Sequence, residues 1–276
     1  MASEQLANAN QISKSNYTLL IDGDILCYKA AVVNQAIYEL EDTINIIAKI
    51  DTTIKFVNDY LIKLMKKFKL KDNRKVYIAF TGSGNWRHCF YPQYKSNRFM
   101  GLKPVLIPHL RQYLSEHYYT YEVPLLEGDD LLGIMATSDR WKGNKVIVSC
   151  DKDLTQIPGL VYNDVTKVLY NISESEALYN TAYRILVGDT ADGYPGLPRI
   201  GTKKAKDFLE QLCKPDSTEI SEGVNIYQQL RDFYIERGQT EEYFESQVAV
   251  ATMLTINNYD LDSSTVNMFG RSIKVK

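Results

Sequence analysis

Three short apolar runs, Tyr17–Ile21, Val76–Phe80 and Val146–Cys150, most constrain what this chain can fold into. Runs of that length, bounded by turn residues, read as strands buried on both faces. The first ends in Asp22-Gly23-Asp24 and the third in Asp151-Lys152-Asp153, while the second ends in Thr81-Gly82-Ser83-Gly84. Between the first two, Ile54, Val57, Leu61, Leu64, Met65 and Phe68 recur at helical spacing. Val105–Tyr118 predicts another helix. Glu127-Gly128-Asp129-Asp130 opens the apolar helix Leu131–Ala136, with acids in the first turn where the helix dipole favours them. Val161–Tyr162 and Lys167–Ile172 read as edge strands. Strands alternating with helices imply an α/β fold, a mostly parallel twisted central sheet with helices on both faces.

After about residue 175 the pattern becomes helical. Ala177–Val187 and Thr202–Leu212 predict helices on either side of a turn-rich stretch, and a polar segment from Lys214 to Gly223 precedes a further helical region. The expected organisation is a flexible tail over 1–16 and an α/β domain over 17–175. Its segment 85–124 is irregular, basic and aromatic (Trp86, Arg87, Tyr91, Tyr94, Lys95, Arg98, Phe99, Lys103). A helical region over 176–276 belongs to the same compact unit.

A chain of 276 residues carries one large domain, or one domain and a smaller one. Its net charge of -2 excludes a bulk cationic coat but not a local basic face. No apolar run reaches the ~18 residues needed to span a bilayer, and the first residues hold no secretory h-region. Cys27, Cys89, Cys150 and Cys213 stand more than 60 residues apart, which builds neither a zinc site nor a compact disulfide framework. Reduced thiols in a cytoplasmic setting are expected, the host's cytoplasm if the chain is viral.

Asp22, Asp151 and Asp153 follow strands, so they lie along the carboxyl edge where open parallel sheets bind ligands. Glu127, Asp129 and Asp130 open on the same edge, and Asp189 and Asp192 sit three apart around a turn. Singly, each is as readily a turn former or helix cap. Gathered into one cleft, the eight carboxylates could not all ionise unaided. Oxygen-only donors favour Mg²⁺ or Mn²⁺ over zinc. So many exceed the needs of one ion, and two ions about 4 Å apart suit in-line phosphodiester hydrolysis. His88, His109 and His117 have no ligand-like spacing. The lysine-rich stretch Lys63–Lys75 reads as the solvated face of a helix.

Four blocks, Leu20–Asp24, Leu126–Asp130, Ser149–Asp153 and Gly188–Asp192, with Ala79–Arg87 and Tyr94–Arg98 between them, resemble the 5′-nuclease superfamily of flap endonucleases and phage 5′–3′ exonucleases. They are most similar to the short podovirus exonucleases. The resemblance implies a PIN/5′-nuclease-like fold. It places Asp22, Glu127, Asp129 and Asp130 on a first metal and Asp151, Asp153, Asp189 and Asp192 on a second, some through water. Lys95 would bring positive charge to the scissile phosphate, with Arg98 beside it. Tyr94 would stack on a terminal base, and Arg87 would belong to the nucleic-acid surface. The stretch around 188–212, with Gly196, Gly201, Thr202, Lys203 and Lys204, is similar to the family's helix–turn–helix DNA motif, where a K⁺ ion often sits.

The implied activity is Mg²⁺- or Mn²⁺-dependent 5′–3′ exonuclease action on duplex DNA, with RNA primers in RNA/DNA hybrids as a further substrate. Structure-specific flap cleavage is the alternative within the class. A catalytically silent DNA-binding module is the alternative outside it, because the family's aspartate after the second strand is absent from Phe80-Thr81-Gly82-Ser83. Asp24 or water is left to fill that place. The stretch from Arg98 to Glu127 is also short for an arch that threads a strand.

Overall fold

The computed structural model describes residues 16–41, 43–98, 101–214, 220–221 and 223–275. The expected tail lies outside these residues apart from Asn16, as do Phe99 and much of the polar segment after Lys214.

The chain begins with β1 (Tyr17–Asp22), α1 (Gly23–Val33), a hairpin of β2 (Gln35–Leu40) and β3 (Thr43–Ala48), α2 (Ile50–Lys67), β4 (Val76–Thr81), α3 (Ile107–His117) and β5 (Tyr119–Val123). It continues through α4 (Gly128–Thr137), β6 (Asn144–Val148), β7 (Gly159–Tyr162), β8 (Leu169–Ile172), α5 (Glu174–Val187), α6 (Thr202–Glu210), α7 (Ile226–Glu236) and α8 (Glu241–Ala251). It closes on a small meander, β9 (Tyr259–Asp260), β10 (Thr265–Met268) and β11 (Arg271–Lys274).

The central sheet has the order β5-β4-β1-β6-β7-β8. All neighbouring pairs are parallel except the antiparallel edge pair β7–β8. β1 is buried along its whole length, as its unbroken apolar run requires at the centre of a sheet covered on both faces. Strand alternation then sorts its side chains. Leu19 and Ile21 join Ile78, Val146 and Val148 under α1, α2 and α3. Leu20 joins Ala79, Ile147 and Val161 under α4 and the C-terminal meander. A third core ties α5–α8 to Tyr94 and Tyr194.

From β1 the chain winds outward through β4 and β5, then returns to the other side of β1 for β6 and β7. The strand order therefore reverses between β1 and β6. Loops leaving those two strands diverge to opposite sides of the sheet, and the gap between them is where such sheets bind ligands. Asp22 and Asp151 flank that gap.

The predicted strands and helices are present with shifted ends, and three elements depart from expectation. Residues 119–123 within the irregular segment form β5, and β2 and β3 pair as a hairpin. The end of the expected helical region is the antiparallel β9–β11 sheet, whose Tyr259, Val266 and Met268 pack beneath α4.

Candidate active site

Each acidic block is positioned by its own backbone. Asp22 caps α1, accepting from Ile25 N–H at 3.0 Å, and takes a second bond from Ser149 Oγ at 2.8 Å. Asp151 caps the short helical turn 152–156, accepting from Asp153 N–H at 2.8 Å. Glu127 caps α4. Asp189 accepts from Ala191 N–H at 2.7 Å and closes the turn that carries Asp192. Asx and cap geometry thus fixes the backbone at each acidic block.

Counter-charges divide the pocket into two halves. Lys95 Nζ bonds Glu127 and lies 3.6 Å from Asp192, which Arg98 also pairs. Arg184, on α5, bridges Asp153 and Asp189, the latter at 3.0 Å. Among the described residues no ion pair reaches Asp22, Asp129 or Asp151. Burial, and then the charges of Asp24 and Asp151, raise Asp22 to about 6 against the pull of Ile25 N–H and Ser149. Asp129 is raised well above the carboxylate range by its enclosure and by Asp22, Asp151 and Glu127. Burial also raises Asp151, with Arg184 opposing and Asp192 adding to the shift. Glu127 shows the reverse: Arg87 and Lys95 outweigh its burial and hold it at about 2.

Among the described residues no three acidic side chains already form a closed cation cage, because several oxygens point at arginine and lysine. The three without such partners still repel one another. An oxygen-only set carrying this unrelieved repulsion fits a hard divalent cation.

The geometry gives four of the predicted residues other partners. Asp130 is fully buried, and both oxygens are engaged: by Arg87 at 2.8 and 2.7 Å, Leu254 N–H at 3.2 Å, Trp86 Nε1 at 3.1 Å and Glu127 N–H at 3.2 Å. No lone pair is left for a metal. Arg87 is spent on the same clamp and on Thr252 O at 2.8 Å, so it cannot reach nucleic acid. Tyr94 is buried as well. Its one O–H is shared between Glu127 and Asp192, each at 3.1 Å, so the ring serves two carboxylates instead of stacking on a base. Gly196 lies inside, its N–H donating to Gln247 Oε1 at 2.9 Å and its carbonyl accepting from Tyr243. It serves the turn: a Cβ there would meet Gly188 N at 2.5 Å, and its φ is +64.

Lys95 and Arg98 do face the carboxylates. Lys95 holds a left-handed backbone, φ +58, fixed by its N–H bond to Asp192 O at 2.7 Å, and its ammonium lies 4.8 Å from the Tyr94 ring. A non-glycine residue in that region costs on the order of 1–2 kcal/mol, a strain kept because it turns the side chain toward the pocket. Gly201, Thr202, Lys203 and Lys204 are exposed at the start of α6, whose cap has no side chain in the way.

Gly82 stands where the second strand ends, in the stretch that lacks the expected aspartate. A Cβ there would lie 2.0 Å from Val123 O, so β5 closes the position to any side chain. Asp24 does not replace it, being held by Thr81 N–H at 2.8 Å and Arg111 at 3.0 Å. Arg184 and the Arg87–Asp130 clamp escaped sequence reading. The only signal for Arg184 was its place one turn ahead of Gly188-Asp189.

A mostly parallel sheet whose acidic loops meet where strand order reverses suits metal-assisted phosphoryl transfer. Residues 17–185 match the family of the 5′-3′ exonuclease, N-terminal resolvase-like domain, and the chain belongs to that family. It is 30% identical over 212 residues to the exonuclease of Escherichia phage T7, covering 67% of this chain and 70% of that protein. Identity to the exodeoxyribonuclease of Enterobacteria phage T3 is 28% over the same length. Among solved structures, a flap endonuclease of bacteriophage T5 in a pseudo-enzyme-product complex with DNA and metal ions overlays with a TM-score of 0.60. That match has 12% identity and covers 86% of this chain and 89% of that one, a likeness of fold.

Proposed function

We propose that this 5′ nuclease is a Mg²⁺- or Mn²⁺-dependent 5′–3′ exonuclease of duplex DNA, acting also on the RNA strand of RNA/DNA hybrids. The observation that carries the reading is the uncompensated trio Asp22, Asp129 and Asp151 beside Lys95. In this reading Asp22, Glu127 and Asp129 hold one cation and Asp151, Asp153, Asp189 and Asp192 the other. Bound cations supply a nucleophilic water at neutral pH and offset charge on the phosphate.

The protein's own groups do the rest. Lys95 leaves Glu127 for the scissile phosphate, where its charge offsets the developing negative charge. Arg98 does the same from Asp192, and Asp153 and Asp189, now bridged by Arg184, would hold a cation once that bridge opens. The Tyr94 hydroxyl keeps Glu127 and Asp192 in place. Thr202, Lys203 and Lys204 hold duplex phosphates at the uncapped start of α6, and the Gly196–Gly201 turn would hold the K⁺ ion that the resemblance implies.

Flap cleavage is the second reading, favoured by the overlay on a flap endonuclease. A silent DNA-binding module fits less well: Gly82 is explained by packing, and the unpaired trio then has no role. The test compares 5′-labelled blunt, nicked and flapped duplexes with and without chelator. Mononucleotide release from blunt ends that stops on chelation supports the exonuclease. Degradation unaffected by chelation contradicts it.

A further inference from the structure

The basic stretch after α2 takes no part in the candidate active site. It lies on the opposite edge of the sheet, where residues 16–18, 74–77 and 140–142 bring in the amino ends of β1, β4 and β6. With the turn at 68–72 they wall a cavity of about 630 Å³. Five residue steps along β1 separate Tyr17 there from Asp22, about 17 Å of extended chain.

Six cationic side chains line this cavity, Lys69, Lys71, Arg74, Lys75, Arg140 and Lys142, against one carboxylate, Asp72. Asp72 is already taken by Arg74, through Nε at 3.0 Å and Nη2 at 2.6 Å. Lys75 rests on the neutral Asn16 side chain. Among the described residues no carboxylate pairs Lys69, Lys71, Arg140 or Lys142. In a chain of net charge -2, so many uncompensated cations in one concavity are not average surface. They cost mutual repulsion, which a polyanion relieves. The backbone contributes to the arrangement. Lys69 turns left-handed, φ +54, and Leu70 N–H closes on Met65 O at 2.9 Å, which bends the chain past the end of α2 and round to the cavity wall.

We infer that this cavity is a second anion site, separate from the carboxylate pocket, that takes the adjacent phosphates of a nucleotide or of a nucleic-acid strand. Its volume lies in the ordinary range of ligand pockets, roughly 300–1,000 Å³. Arg74 and Arg140 present forked donors suited to phosphate oxygens. Tyr77, half-buried over the enclosed Tyr17 and Phe68, adds an aromatic surface for a sugar or base. An acidic peptide fits less well, because its carboxylate side chains have no ring to lie against Tyr77. Residues 1–15 of this chain carry Glu4 against Lys14, so they bring no counter-charge.

The inference stands apart from the nuclease reading, and its test needs no catalysis. In metal-free buffer at low salt the carboxylate pocket repels anions, which leaves the basic sites to be read. Tripolyphosphate binding is measured by calorimetry, and binding of a single-stranded oligonucleotide by anisotropy, for the wild type, K71E/K142E and K203E/K204E, with thermal melts to confirm folding. K71E/K142E should weaken tripolyphosphate at least tenfold while K203E/K204E leaves it within twofold. If oligonucleotide affinity falls together with tripolyphosphate in K71E/K142E, a nucleic-acid strand is the source; if it holds, a free nucleotide is. Tripolyphosphate binding that K71E/K142E leaves unchanged overturns the inference, as does a glutamate peptide bound more tightly than tripolyphosphate.

Discussion

At the scale of single residues, a charge's role here follows from how completely its partners satisfy it. Lys95 is half-buried and shared between Glu127 and Asp192, and in the proposed mechanism it moves from them to a substrate phosphate. Lys95→Ala should lower turnover about a hundredfold, roughly 2.7 kcal/mol, with little loss of DNA affinity. Single-turnover kinetics beside a binding isotherm measure both, and equal losses would make Lys95 a binding residue only. Asp130 is the opposite case, wholly enclosed with Arg87. Asp130→Asn should cost about 3–5 kcal/mol in urea unfolding because it strands a buried guanidinium, and Asp130→Leu combined with Arg87→Met should recover much of that loss. Sequence could not separate these two cases. Asp129 and Asp130 are adjacent acids in one helix start, and only the tertiary position of Trp86-Arg87 decides that the second is structural. Gly82 was legible as a departure, but its reason, the carbonyl of Val123, lies on a strand the sequence did not reveal.

At the scale of elements, strand ends and helix starts deliver the chemistry. β1, β4, β6 and the start of α4 were readable because buried central strands leave unbroken apolar runs. The β2–β3 hairpin, β5 and β9–β11 were not. They sit at edges or on the surface, where mixed exposure erases the alternation that marks a half-buried strand. The crowded ends of β1, β6 and α4 also set a pH dependence. A carboxylate raised in the folded state favours folding when protonated, so stability falls as pH rises from the ordinary carboxylate value through the raised one. For Asp22 that window runs from about 4 to about 6 and is worth about 3 kcal/mol at most. Glu127, held at about 2, adds the opposite trend only below pH 4.5. The metal-free protein should therefore melt lower at pH 7.5 than at pH 5.5, and Asp129→Asn should flatten that slope. Parallel slopes in the two proteins would remove the crowding argument. At the start of α6, Lys203→Glu with Lys204→Glu should weaken duplex binding and reduce the slope of log affinity against log salt by at least about 2.

At the scale of the molecule, the reversal of strand order between β1 and β6 opens one gap, and four distant segments reach it. The opposite edge gathers positive charge instead, so the molecule is polar along its strands, acidic at one end and basic at the other. That separation allows a net charge near zero to serve a polyanionic substrate, provided cations fill the acidic end. The decisive measurement is a calorimetric titration of the metal-free protein with Mn²⁺ at pH 6, in two buffers of different ionisation enthalpy. Two bound ions, with net proton release as Asp22 and Asp129 give up their protons, are the predicted result, and Asp129→Asn should lose at least one ion. Absence of saturable Mn²⁺ binding, or binding that Asp129→Asn leaves unchanged, would contradict the claim that these carboxylates form a metal site.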